Sequence, residues 1–187
     1  TVSSPTVNEA SPYAVFTVTA TQGQNLTLAL ADGTAAGTAT DYGSTNTTTL
    51  GQTNLEYSLD GGSTWVIYSG AFNATLTGAG VTTKLLVRTP ITNDTAPDNG
   101  ETFTLTATPT GGTAVTGTAT IKDDGTGTIY NADGTLDTTT AKNNDITVSS
   151  PTVNEASPYA VFTVTATQGQ NLTLALADGT AAGTATD

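Results

Sequence analysis

The chain has 187 residues, sixteen acidic and four basic side chains, a formal net charge of −12, and no Cys, His or Met. The missing cysteine excludes a disulfide scaffold and a thiolate metal site, and the missing histidine removes the commonest general base and metal ligand. So negative a surface also disfavours nucleic acid and anionic membranes as partners, and any metal would have to sit in oxygen.

Thr fills 46 positions and Gly 20, a composition of strands and turns. No apolar run approaches the ~20 residues of a membrane-spanning helix. The first residues lack a signal-peptide pattern, as expected of a piece from within a longer chain. Taken in chain order, alternation of apolar and polar residues predicts strands at Val2–Val7, Ala14–Thr21 and Leu26–Ala31. Leu55–Leu59 and Trp65–Ser69 form a predicted hairpin across Asp60-Gly61-Gly62-Ser63. Ala71–Thr77, Thr82–Ile91, Thr102–Thr108 and Ala114–Lys122 complete the set, and in Thr102–Thr108 the side chains of Phe103, Leu105 and Ala107 share one face. Nine short strands without a helical period predict an all-β, immunoglobulin-like antiparallel sandwich. Trp65, Tyr68 and Phe72 are expected in its core.

Residues 147–187 repeat residues 1–41 without a single difference, an offset of 147 − 1 = 146. The expected organisation is a sandwich domain over 1–124, a hairpin and interdomain linker over 125–146 with its turn inside Ile129–Leu136, and the start of the next identical repeat over 147–187.

If successive strands alternate in direction, one end of the sandwich collects Glu9, Asp32, Asp41, Asp94, Asp98, Glu101, Asp123 and Asp124, while the other end holds Asp60. Like charges gathered out of water repel, and few basic residues lie nearby to offset them. A divalent cation is the expected remedy. Ca²⁺ suits such a site best because it accepts six to eight oxygens in flexible geometry, and Asn8, Asn93 and Asn99 lie in the same loops. Single solvated loop acids are the plainer alternative for each residue taken alone.

Val7-Asn8-Glu9, the Tyr-Ala-Val-Phe-Thr-Val strand, Ala39-Thr40-Asp41-Tyr42, Pro90-Ile91-Thr92-Asn93-Asp94, Asp98-Asn99-Gly100-Glu101-Thr102-Phe103 and Ala119-Thr120-Ile121-Lys122-Asp123-Asp124-Gly125 follow one another in an order that resembles the Calx-β pattern. The order is also similar to the extender repeats of large type I-secreted (RTX) bacterial adhesins. That resemblance covers roughly residues 1–125 and implies a sandwich binding Ca²⁺ at one tip. It puts metal ligands on Glu9, Asp41, Asp98, Glu101, Asp123 and Asp124, with Asp94 as an additional acid. Gly125 and Asn99 depart from it, standing where the family commonly has acids.

The function expected from these features is a calcium-stabilised structural spacer of a giant bacterial surface adhesin, stiffened at the domain junction and located outside the cell. Its partners would be neighbouring identical repeats, with no nucleic acid, membrane or small-molecule substrate. A carbohydrate- or cell-surface-ligand-binding module is the alternative. Catalysis is not expected, since the usual nucleophile–base arrangements need a His or Cys that the chain lacks.

Overall fold

The computed structural model describes residues 1–43, 55–76, 84–97, 99–166, 171–181 and 183. Thirteen strands run in chain order among them: β1 (Thr6–Asn8), β2 (Tyr13–Val18), β3 (Asn25–Asp32), β4 (Glu56–Ser58), β5 (Val66–Ile67), β6 (Phe72–Asn73), β7 (Leu85–Pro90), β8 (Glu101–Pro109), β9 (Val115–Lys122), β10 (Ile129–Tyr130), β11 (Leu136–Asp137), β12 (Thr147–Val148) and β13 (Val164–Thr165). The first nine build two sheets, ordered β1-β9-β8-β3-β6 and β2-β7-β4-β5. These form an all-β, two-sheet sandwich of the generic immunoglobulin-like kind.

The inward side chains follow the period of two that a strand imposes. Phe103, Leu105 and Ala107 of β8 are buried, as are Leu26 and Leu28 of β3, Ala14, Phe16 and Val18 of β2, and Leu85 and Val87 of β7. Phe16 meets Phe103 edge-to-face across the two sheets with centroids 6.0 Å apart, and Tyr42 stacks on Phe103 at 4.0 Å. Full burial of each Val, Leu or Phe side chain among them stabilises the fold by about 1.5–3 kcal/mol.

Two expectations change in detail. The first predicted strand divides in two: Val2 bridges to Val18 in one sheet, whereas Thr6–Asn8 runs parallel to β9 in the other. Pro5, which has no N–H to contribute to a ladder, lies in the crossing between them. Gly117 is obligatory beneath that crossing, because a Cβ there would collide with the Ser3 carbonyl.

Trp65 lies on the outer face of the β2-β7-β4-β5 sheet, not between the sheets. On β7 the outward residues are Leu86 and Arg88, and the β10–β11 hairpin covers them. The Arg88 guanidinium stands 4.0 Å from the ring centres of both Tyr13 and Trp65, pairs with Glu56 at 2.6 Å, and donates to the Ala132 carbonyl of the hairpin. An arginine held between two aromatic faces is favoured by their quadrupoles as well as by its carboxylate. Tyr68 and Phe72 pack against the core from its margin, and the Tyr68 hydroxyl accepts the Leu28 N–H at 2.8 Å.

Strand direction alternates throughout the first nine strands. β1 and β9 are parallel, while β2–β7, β3–β8 and β8–β9 are antiparallel. Thr1 pairs with Thr19 at one end of the sandwich, and the chain leaves past Lys122 at the other. That second end is the exit pole.

Candidate functional site

The loops at the exit pole are joined through Asn8, a side chain with no solvent exposure at the end of β1. Its amide nitrogen donates to the carbonyls of Thr126 (2.8 Å) and Asn143 (3.1 Å). Its amide oxygen accepts the N–H of Ala10 (3.1 Å) and of Asn143 (2.7 Å). All four hydrogen-bonding positions of the amide are therefore used. Gly127 makes this approach possible: its φ is 83°, and a Cβ would strike the backbone of Val7 and Asn8.

Asn143 extends the junction. Its side-chain amide donates to Glu9 Oε2 at 2.8 Å and to Asn93 Oδ1 at 2.6 Å. Glu9 Oε1 in turn accepts the Asp94 N–H at 3.1 Å. Backbone bonds run from Gly125 N–H to Asn143 O and from Asp145 N–H to Asp123 O, with Asp124 and Asn144 bridged between them. Segment 143–145 thus lies antiparallel to 123–125, just ahead of Thr147.

The loops bearing Glu9, Asp41, Asp94, Glu101, Asp123 and Asp124 meet at one pole, where the Glu9 N–H bonds Lys122 O, the Thr92 N–H bonds Asp41 O and the Gly100 N–H bonds Ile121 O. Asp98 lies outside the described residues. Among the described residues no three acidic side chains form a group able to hold a metal ion. The expected Ca²⁺ site, and with it the calcium-stabilised adhesin spacer, is therefore overturned.

The physical reason is visible in the donors. Asp41 accepts the Ala36 N–H at 2.6 Å, and Asp94 accepts the Ala96 N–H at 2.6 Å. Asp32 takes the Gly37 N–H at 3.0 Å and the Tyr42 hydroxyl at 2.5 Å. Asp124 Oδ1 accepts the N–H and hydroxyl of Thr126, and its Oδ2 accepts the Asn99 amide at 2.8 Å. Lys122 Nζ stands 3.9 Å from the same carboxylate. Fixed donors thus hold Glu9, Asp32, Asp41, Asp94 and Asp124 one by one, where convergence on a cation was expected. Asp60 at the opposite pole is held the same way by Ser58 and Thr64.

Titration behaviour follows these contacts. Burial pushes the Asp124 carboxyl up, but bonds from Thr126 and Asn99 with the charge of Lys122 outweigh it and hold the pKa low. Asp60 is held down at about 2, first by the Thr64 N–H. The Tyr42 phenol is pushed above its usual value by burial and then by Asp32.

Asn143 was missed as a junction residue, although the run Asn143-Asn144-Asp145 just ahead of the repeated segment was a usable signal. Asn8, expected as a neutral ligand, instead fastens the loops through its amide. Nothing in strand patterning points to Arg88 as the residue that fastens the hairpin.

No protein-family model matches the chain, and no curated protein matches it. The structure supports a two-sheet sandwich of the generic immunoglobulin-like kind.

Proposed function

We propose that residues 1–146 are a non-catalytic structural unit made to be joined end to end with identical units, the next beginning at Thr147. The observation that carries this is directional. The chain comes in beside Thr19 and goes out beside Asn8 and Asp123, at opposite poles, because β1 and β9 run parallel. Units connected this way add length, whereas units whose ends lay at one pole would fold back on each other.

The junction in this proposal is direct. Asn143 and Asp145 are bonded to Asn8, Glu9 and Asp123, which fixes the heading of the chain as it leaves without a bridging ion. The perfect identity of 147–187 with 1–41 supports the tandem arrangement.

Small-angle X-ray scattering of chains carrying one, two and three complete units, without added divalent ions, is the test. Equal increments in maximum dimension are expected. Growth close to the cube root of mass would sink the proposal, and Asn143→Ala should shorten the increments by loosening the junction.

A further inference from the structure

Lys122, Asn99 and Asp124 meet at the exit pole, where β8 begins and β9 ends. The Asn99 amide nitrogen donates to Asp124 Oδ2 at 2.8 Å, and Lys122 Nζ stands 3.9 Å from the same carboxylate oxygen. Gly100 leaves room for the lysine to reach across. Its φ is 93°, and Nζ lies 3.8 Å from where a Cβ of that glycine would be. One oxygen of Asp124 therefore faces both a primary amine and a carboxamide.

The amide is also held out of water. Asn99 Oδ1 is buried and accepts no hydrogen bond among the described residues, a condition that buried polar atoms rarely keep. The side chains of Lys122 and Asp124 are 29% and 16% exposed. A nucleophile, an acyl group and a proton carrier are the parts that an acyl transfer needs.

We infer that Lys122 and Asn99 are a site of self-modification, at which they join as a side-chain amide. Asp124 takes one proton from the Lys122 ammonium, and the freed amine attacks Asn99 Cγ. Protons then pass through Asp124 to the Asn99 nitrogen, the Cγ–Nδ2 bond breaks, and a Cγ–Nζ bond remains. One ammonium ion leaves, and Asp124 ends as the carboxylate it began as. No oxidant, metal or cofactor is consumed. Gathering amine and amide around one oxygen makes the step unimolecular.

The competing nucleophile is restrained. In an Asn-Gly pair the glycine nitrogen can attack the Asn carbon itself, closing an imide and also releasing ammonia. The Gly100 N–H is committed to the Ile121 carbonyl at 2.9 Å, a bond that such closure would break and that attack by Lys122 keeps. β8 and β9 are already joined through residues 110–114 at one end. The new amide joins them at the other, so that 99–122 becomes a covalent ring. This rests on residues 99–124 and not on the end-to-end array.

Intact mass and peptide mapping of the whole chain test the inference. After incubation in the folded state, the unaltered chain should weigh one ammonia less than its sequence requires. Lys122→Arg, which keeps the charge beside Asp124, should show no such loss. Trypsin does not cut after an acylated lysine, so it should release 89–142 undivided. A further cut after Glu101 should leave 89–101 attached to 102–142. Asp124→Ala should form the link at least about a hundredfold more slowly. A folded, unaltered chain at its full sequence mass overturns the proposal. So does ammonia loss that persists in Lys122→Arg, a peptide 89–101 that comes away wholly free, or an unchanged rate in Asp124→Ala.

Discussion

The same 41 residues occur twice in this molecule and adopt two conditions. Among the described residues, several short-range bonds of the first copy recur in the second. Ala10 and Ala156 donate to the Asn two residues earlier, and Ser11 and Ser157 donate to the Tyr carbonyl two residues later. Gly37 and Gly183 donate to the Asp five residues earlier. Even the bridge Val2–Val18 returns as Val148–Val164. The long-range ladders differ: Asn25–Asp32 is an eight-residue strand beside β8, while 171–178 forms none. Turns are thus written locally, but a strand belongs to its partner as much as to its own residues.

The comparison can be broken most decisively by hydrogen exchange. Amides of Thr27 and Ala29, which face β8, should exchange at least about 10⁴-fold more slowly than those of Thr173 and Ala175, because core amides open only with global unfolding. Equal rates would mean that the second segment has found a partner. Next in size is Leu28→Ala, which should cost about 2–5 kcal/mol, while Leu174→Ala in dilute solution should stay within about 0.5 kcal/mol. Denaturant melts of both variants check the pair. Asn8→Ala should cost about 1–3 kcal/mol by stranding buried partners at the exit pole, and Asn154→Ala much less, since Asn154 serves a local turn.

The smallest effect is acidic. The Asp124 carboxyl is depressed in the folded state, so its contribution is complete above the unfolded value near 3.9 and is lost as pH falls through the folded one. Acid melts of Asp124→Asn should therefore lose a little less stability below pH 4 than the unaltered chain. An identical acid limb would remove Asp124 from the account.

The sandwich was legible because alternation is a property of single strands. Each of the nine strands of the sandwich overlaps a stretch expected to be a strand, and the inward trio Phe103, Leu105 and Ala107 needed only a period of two. Their alternating directions also bring Glu9, Asp94 and Asp124 to one pole. The purpose of those acids was not legible, because counting charges leaves out the donors that meet them. The N–H groups of Ala36, Ala96 and Thr126 take up the carboxylates through turn geometry that composition does not reveal. Trp65 was misplaced for a related reason. Its cover comes from the hairpin at 129–137, reached through Arg88, and nothing in the 65–69 stretch announces a lid from so far along the chain.

The parallel run of β1 beside β9 also decides how the unit would answer a pull on its two ends. Tension drawing Thr1 and Ile146 apart would slide Thr6, Val7 and Asn8 along Thr120, Ile121 and Lys122. Those bonds would be strained in shear and would yield together, whereas a hairpin pulled open at one end peels a rung at a time. Mechanical toughness would then come from the direction of two strands, even where thermodynamic stability is ordinary.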